Sequence, residues 1–348
     1  MKKASHSSTS SDIDFVLLWV DGGDPAWRAK KAKYLPNGDP DDTSTGEQRY
    51  RDWGLLRYWF RGVEAFAPWV RKVFFVTDDQ WPAWLNKNAP KLVCTSHRDF
   101  IPENCLPTFN SAAIEMNLRR LNGLSERFVE FNDDTYIGRS VTPDLFFHNG
   151  FPVQTPHLKP VVAQYPNRPL DYFLLNEAAV INHHFNGRNA VTGHLSKWIQ
   201  PWRIGIRRAF WNWLFSFLDP CPGFDDPHLP FSLLKDTLDE ISAAEPELVR
   251  AVSERKFRTN EDIGPRVFRD WQFATGKFWP RRQKDIGAYY RIEAKGIDSL
   301  CKAIVGKRHN LICANDVGPL SSEEFSTFRD RLENAFRTIL PEKSSFER

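Results

Sequence analysis

Between residues 13 and 138 the chain alternates short apolar runs with amphipathic stretches, and this alternation limits the possible folds more than any other feature. Residues 13–20 read Ile-Asp-Phe-Val-Leu-Leu-Trp-Val, broken only by Asp14, and residues 72–77, 91–95 and 128–131 are shorter runs of the same kind. Runs this short and this apolar predict buried strands. Between them, Leu55, Leu56, Trp59, Val63 and Phe66 follow helical spacing, and a helix is expected over 82–88. Asn110 is placed to N-cap a further helix bearing Ile114, Leu118 and Leu121. Strand and helix in turn imply an α/β fold with a mostly parallel sheet.

The ends of the runs carry the chemistry. Residues 128–138 are Phe-Val-Glu-Phe-Asn-Asp-Asp-Thr-Tyr-Ile-Gly, and the apolar part stops abruptly at Asn132, Asp133 and Asp134. In an open α/β sheet ligands gather at the carboxyl ends of the strands, where two carboxylates suit a divalent cation and a diphosphate; Asn and Asp are also ordinary turn residues. The first run ends in Asp21-Gly22-Gly23-Asp24-Pro25, where the glycines let the backbone approach a ligand and Asp21 could accept from a base or ribose. A plain βα turn fits the same residues. The last run, 310–314, ends in Asn315-Asp316, echoing Asn132-Asp133-Asp134. Two such ends facing one crevice would form an acidic site of the kind that Mg²⁺ with a nucleotide diphosphate requires.

Other segments add candidates. The polar stretch 29–47 predicts a mobile loop or lid. Arg49 and Arg51, beside Asp52 at the entrance of the Trp59 helix, could meet phosphate or pair with Asp52. Prolines at 152, 156, 160, 166 and 169 mark a change of character, with a boundary near 145 and a helix over 170–185. His183 and His184 are neighbours on that helix and point about 100° apart, which favours packing over joint metal ligation. Residues 198–218 interleave Trp198, Trp202, Phe210, Trp211, Trp213, Phe215 and Phe217 with Arg203, Arg207 and Arg208. This mixture fits a helix resting on anionic lipid, an aromatic platform for sugar rings, or a helix packed on the main domain. His228 lies in Asp225-Asp226-Pro227-His228-Leu229-Pro230, held between prolines at the entrance of a helix carrying Leu233, Leu234, Leu238 and Ile241. A His fixed in this way can act as a base or donate to phosphate, or be structural. Arg255, Lys256 and Arg258 precede a helix expected from Asn260, an arrangement that invites a bound anion. Ser321 and Glu324 form a capping box for a closing helix. The resulting organisation is a tail (1–11), an α/β part (12–145), a mostly helical insertion carrying His228 and Arg258 (146–300), and a last strand and helix returning to the α/β core (301–348).

A net charge of +3 over 348 residues, without a long block of one sign, gives no footprint for nucleic acid. The five cysteines are odd in number and lack zinc spacing, as expected in a reducing compartment. No run reaches the ~18 apolar residues of a membrane span, and no secretory signal opens the chain. These features predict a cytoplasmic protein, with peripheral contact at the inner face of the membrane through residues 198–218.

The ordered blocks resemble the Stealth family, which includes bacterial capsular and exopolysaccharide phosphotransferases and the N-acetylglucosamine-1-phosphotransferase that tags lysosomal enzymes. The resemblance runs through residues 13–25, then from Arg49-Tyr50-Arg51-Asp52 through Leu106-Pro107-Thr108-Phe109-Asn110-Ser111 to Asn132-Asp133-Asp134. It continues through Pro227-His228, Arg258 and Glu261-Asp262, and ends at Cys313-Ala314-Asn315-Asp316 with residues 341–347. It implies a Rossmann-like nucleotide-sugar-binding fold similar to type A glycosyltransferases. It also implies transfer of hexose 1-phosphate, for example N-acetylglucosamine 1-phosphate, from a UDP-sugar to a hydroxyl of an oligo- or polysaccharide acceptor, with release of UMP. Asp133, Asp134, His228 and Arg258 are the implied catalytic set. Asp133, Asp134, Asn315 and Asp316 are implied around Mg²⁺ or Mn²⁺, and Asp21, Gly22, Arg49, Asp52, Asn110 and Asn132 around the nucleotide-sugar. The general base is either His228 or an aspartate. A metal-dependent glycosyltransferase releasing UDP and a non-catalytic binding protein of polysaccharide assembly are the competing readings.

Overall fold

The structure, a computed structural model, describes residues 12–35, 50–162, 169–185, 188–316 and 318–348. Strands β1 (Ile13–Leu18), β2 (Val73–Thr77), β3 (Leu92–Ser96) and β4 (Arg127–Phe131) run parallel in the spatial order β3-β2-β1-β4. Strand β5 (Thr135–Ile137) follows β4 at once, β6 (Phe147–His148) and β7 (Phe151–Gln154) form a small ladder, and β8 (Phe231–Leu234) closes the main sheet antiparallel to β4. β9 (Trp279–Pro280) pairs with β7, and β10 (Gly287–Ile292) lies parallel to β11 (Leu311–Asp316), which pairs antiparallel with β5. Residues 146–300 thus supply both helices and an edge strand of the main sheet.

β1 is central and its side chains are buried, including Asp14 at 0% exposure. That carboxylate accepts from Arg71 Nε at 2.9 Å, Ser125 N at 2.8 Å and Lys72 N at 3.1 Å, so a charge in the core is fully engaged. The chain lays β2 and β3 on one side of β1 and then places β4 on the other. The carboxyl ends of β1 and β4 therefore flank the point where strand order reverses, where a crevice opens in such sheets.

The corner between the two sheets is residues 132–134. The backbone N of Thr135 and its Oγ1 both donate to the carbonyl of Asn132, at 3.1 and 2.8 Å, and Ala314 N donates to the carbonyl of Asp134 at 2.8 Å. The end of β4 and the end of β11 are in this way tied together. Gly138 permits the approach: a Cβ there would lie 2.6 Å from the carbonyl oxygen of His309.

The structure corrects several expectations. Residues 82–88 form no helix: Asn86 N donates to the carbonyl of Phe346 and Arg348 N to that of Trp84, so pairing with the C-terminal tail holds this Pro- and Asn-rich segment open. Leu233 and Leu234 belong to β8, because they face β4 in register, and the helix starts only at Lys235. No helix starts at Asn260; the next is Arg266–Ala274. The stretch expected as a loop from 29 begins inside a helix, Pro25–Ala32, capped by Asp24, and the part from 36 to 47 lies outside the described residues. The Ile114 helix is short, Ser111–Met116, and continues as a 3₁₀ turn. The Trp59 helix (Leu56–Phe66), the 170–185 helix (Pro169–Phe185) and the Ser321/Glu324 capping box stand as expected.

Candidate active site

A cavity of about 1000 Å³ opens at the ends of β1, β4 and β11. Its acidic side is Asp52, Asn132, Asp133, Asp134, Asn315 and Asp316, and its aromatic side includes Trp19, Trp27, Tyr50, Trp53 and Phe109. A second cavity of about 770 Å³ shares Ser111, Asn132, His228, Arg258 and Asn315 with the first, so these five stand where the two spaces meet.

The carboxylates are crowded. Asp133 is exposed on the cavity wall, and the loss of solvation there, then the charges of Asp134 and Asp52, push its pKa up to about 8. Asp52 is raised as well, by burial and by Asp21, although Gly54 N donates to it. Asp316 is raised by burial, against the pull of Arg51, whose guanidinium lies 3.0 Å away. Asp134 Oδ1 and Asp316 Oδ1 are buried without a hydrogen-bond partner among the described residues. Unpartnered buried oxygens beside repelling carboxylates are what a hard divalent cation would satisfy. The nearby thiol of Cys313 is pushed well up by burial and by Asp134, so it stands as a donor to Asp134 Oδ2 at 3.4 Å and not as a soft thiolate ligand.

His228 is held from three sides. Its Nε2 lies 3.4 Å from Asp134 Oδ2, its backbone N donates to Asp226 Oδ1 at 3.0 Å, and the ring of Tyr289 meets it edge-on at 5.8 Å between centroids. The residue adopts φ of 50°, rare for a side chain with a Cβ, and strain of this kind persists only where the surroundings enforce it. Burial pulls the imidazole pKa down, but the hydrogen bond and charge of Asp134, with Asp226, more than offset this and hold it above the ordinary value. With Nε2–H toward Asp134, Nδ1 keeps a lone pair able to take a proton.

Behind His228 lies a buried charge cluster. Arg266 Nε is 3.0 Å from Glu177 and its Nη1 3.4 Å from Asp226, while Arg269 Nη2 is 2.8 Å from Asp270 and its Nη1 3.7 Å from Asp226. Burial would raise Asp226, yet Arg266 and Arg269 keep its pKa below the usual range; burial dominates at Glu177, raised to about 7. Arg266→Met is expected to cost about 3–5 kcal/mol in urea unfolding, because it strands two buried acids. A loss within ~0.5 kcal/mol, the range of an ordinary surface change, would show that the cluster is not holding the turn.

Of the three cations before residue 260, only Arg258 lines the cavities. Arg255 is paired with Asp262 at 2.7 Å, and Lys256 Nζ donates to the carbonyl of Leu106. Arg258 donates to Ser111 Oγ, makes no ion pair within 4 Å among the described residues, and its charge is felt by the buried Glu115; its guanidinium lines both cavities, where an anion can meet it. Arg51 meets Asp316 rather than Asp52. Asn110 is 0% exposed, caps its helix through Ala112 N and donates to Asp262 at 3.0 Å, so it shapes the wall without lining the cavity. Asp21 and Gly22 also stand back from it: the Asp21 carboxylate accepts from Gly23 N, and Gly22 packs on Tyr50, where a Cβ would meet the carbonyl oxygen at 2.1 Å. Arg49 lies outside the described residues. Asp226, the Arg51–Asp316 pair and Tyr289, which accepts from Asn315 Nδ2 at 3.1 Å, escaped the sequence reading. Asp226 left a trace there, two residues before a His fixed by prolines, and Arg51 and Asp316 were read singly but not as a pair.

Comparison with known proteins adds an independent line. Residues 49–154 match Stealth protein CR2, conserved region 2, and residues 11–39 match Stealth protein CR1, conserved region 1. The chain is 37% identical to the receptor polysaccharide phosphotransferase WefC of Streptococcus oralis, over 96% of this chain and 99% of that one. It is 36% identical to the capsular polysaccharide phosphotransferase WcwK of Streptococcus pneumoniae, over 96% and 99%. With the exopolysaccharide phosphotransferase cps2G of Lactiplantibacillus plantarum it shares 36% identity over 97% and 96%.

Proposed function

The chain belongs to the Stealth protein family, and from that premise we propose that it is a phosphotransferase of capsular or exopolysaccharide synthesis. In this reading it moves hexose 1-phosphate from a UDP-sugar to a sugar hydroxyl, forms a phosphodiester and releases UMP. The observation that carries it is the meeting of the acidic corner, a base and the Arg258 guanidinium where two cavities join. The β3-β2-β1-β4 order with an acidic corner after β4 supports a nucleotide-sugar-binding fold similar to type A glycosyltransferases.

The UDP-sugar occupies the larger cavity, its base and ribose along the aromatic wall and Asp52, its diphosphate toward Asn132. The acceptor glycan enters through the second cavity, so that its hydroxyl reaches His228. The hydroxyl oxygen attacks the phosphorus that bears the sugar, the bond from that phosphorus to the bridging oxygen breaks, and the electron pair leaves with UMP. Nδ1 of His228 takes the hydroxyl proton while Asp134 stabilises the imidazolium. Arg258 accepts the charge growing on the phosphoryl oxygens. Asp133, Asp134, Asn315 and Asp316 carry oxygens that would hold Mg²⁺ or Mn²⁺, which when bound would neutralise the diphosphate; at this corner the ligand atoms already within 4.8 Å of one another are those of Asp134, His228 and Cys313. Arg51 holds Asp316 through Oδ2 and leaves Oδ1 without a partner among the described residues.

The test is to incubate the protein with Mg²⁺ or Mn²⁺, a panel of UDP-sugars and an oligosaccharide acceptor, and to identify products by mass spectrometry. UMP with a phosphodiester-linked product is expected, and Arg258→Ala is expected to lower kcat by about 10²–10³. UDP with a simple glycoside would instead place the attack at the anomeric carbon and overturn the reading.

A further inference from the structure

Residues 195–218 fold as three short helices, Leu195–Trp198, Pro201–Ile204 and Ile206–Phe215, bent at Pro201 and at Gly205 with its φ of 92°. The bends sort the aromatic residues. Trp198 is fully buried against Phe224, Phe273 and Phe278, whereas Trp202, Ile206, Phe210 and Phe217 are 70%, 80%, 53% and 54% exposed. Eight of the fifteen exposed large apolar side chains among the described residues fall between 202 and 218, which makes a patch and not a scatter.

The charge around the patch is predominantly positive. Residues 178–218 contain no Asp or Glu, but do contain Arg188, Lys197, Arg203, Arg207 and Arg208. Lys197 turns inward to the carbonyls of Gly276 and Phe278, and Arg208 to Gln283 Oε1. Arg207 is exposed, Arg203 lies over the Trp279 ring at 4.1 Å, and Arg188 borders Phe217 at 5.8 Å. At the edge Asp219 accepts from Arg188 N at 3.4 Å, but the cations outnumber it, and an apolar face with such a rim complements an anionic lipid surface.

We propose that residues 202–218 seat the protein on an anionic membrane, Phe210, Trp213 and Phe217 entering the headgroup boundary and Arg188, Arg203 and Arg207 meeting lipid phosphates. A glycan platform needs carboxylates beside its rings for the hydroxyls, and residues 178–218 carry none; Trp211 stacks on Phe215 at 24°, but Trp213 meets Phe217 at 89° and Phe210 meets Trp211 at 67°. Among the described residues no helix is long and apolar enough to cross a membrane, so the contact is peripheral. The patch is also bolted to the mouth of the second cavity. Asn212, buried, donates to the carbonyls of Pro156 and Trp198 and accepts from Leu158 N at 2.8 Å, and Val162 and Leu170, which line that mouth, are 71% and 41% exposed. A protein seated this way opens its second cavity close to the lipid. Docking does not depend on which bond the active site breaks.

The test is flotation of the full chain with vesicles of phosphatidylglycerol mixed with phosphatidylcholine, and of phosphatidylcholine alone. The wild type is expected to float with the anionic vesicles and to be released by high salt. The triple variant Phe210→Ser/Trp213→Ser/Phe217→Ser is expected to reduce the bound fraction about tenfold, with an unchanged melting curve because these side chains are exposed. Arg203→Gln/Arg207→Gln is expected to abolish the preference for anionic vesicles. A wild type that stays unbound at low salt, or a triple variant that floats equally well, overturns the proposal. So does a dimer in light scattering that the triple variant dissociates without any vesicle binding, since the patch would then cover a second copy of the chain.

Discussion

Asp134→Ala is expected to lower kcat by about 10³-fold or more, the largest effect of any single change in this protein. The carboxylate sits at the corner where β4 turns into β5 and serves several partners at once. Oδ2 faces both His228 and Cys313 at 3.4 Å, and Oδ1 is buried without a partner among the described residues. Its removal takes away the group that orients and stabilises the imidazolium, together with one oxygen of the proposed cation set. Titration calorimetry is expected to show weakened Mn²⁺ binding in the same variant. Stability should move the other way. Asp133 has a folded pKa of about 8 against an ordinary 3.8, so the native state holds an extra proton between those values and loses stability as pH rises through them. Deleting the Asp134 charge removes one cause of that shift, and melting at pH 8 is expected at or above the wild-type temperature. A variant that is inactive but also melts well below wild type would indicate a structural role instead.

His228→Ala is expected to reduce kcat/KM by about 10²–10⁴, the range of a lost general base. The base must be neutral to take the hydroxyl proton, so activity falls as pH drops through its pKa. Asp134 and Asp226 hold that pKa above the ordinary 6.5 despite burial, which places the acid limb of the wild-type profile above 6.5. The limb is expected to vanish in His228→Ala and to move to lower pH in Asp226→Asn, because the neutral amide no longer favours the imidazolium. Asp226 is a positioning residue, and a pH-independent loss in Asp226→Asn would assign it to the turn alone. An unchanged acid limb in His228→Ala would transfer the base to an aspartate.

The cation run at 255–258 shows where reading the chain linearly stops working. Three positive charges in sequence suggest a shared anion site, yet Arg255 and Lys256 are consumed by Asp262 and by the carbonyl of Leu106, and Arg258 alone reaches the cavities. Charge is local in sequence, but its availability depends on partners set by the fold, one of them seven residues away and the other 150. The expected helix at 82–88 failed for a related reason: its amide groups found the C-terminal tail, at residues 346–348, which no local pattern could announce.

Buried strands, in contrast, need no distant partner to be recognised, since an apolar run of five or six residues can satisfy itself only inside a sheet. β1, β2, β3 and β4 were legible for that reason, and so were the polar residues that end β4 and β11, where the alternation of side chains stops. The sequence by itself determined the α/β class, the parallel strands and the acidic residues at their ends. Only the tertiary structure decided that 132–134 and 315–316 share one corner, that His228 is pinned by Asp226 and Asp134, and which aromatic residues of 198–218 are buried. Those outcomes rest on strand order, on a hydrogen bond between Ala314 and Asp134, and on a backbone bend at Gly205, interactions whose partners are set by the folded chain and not by spacing along it.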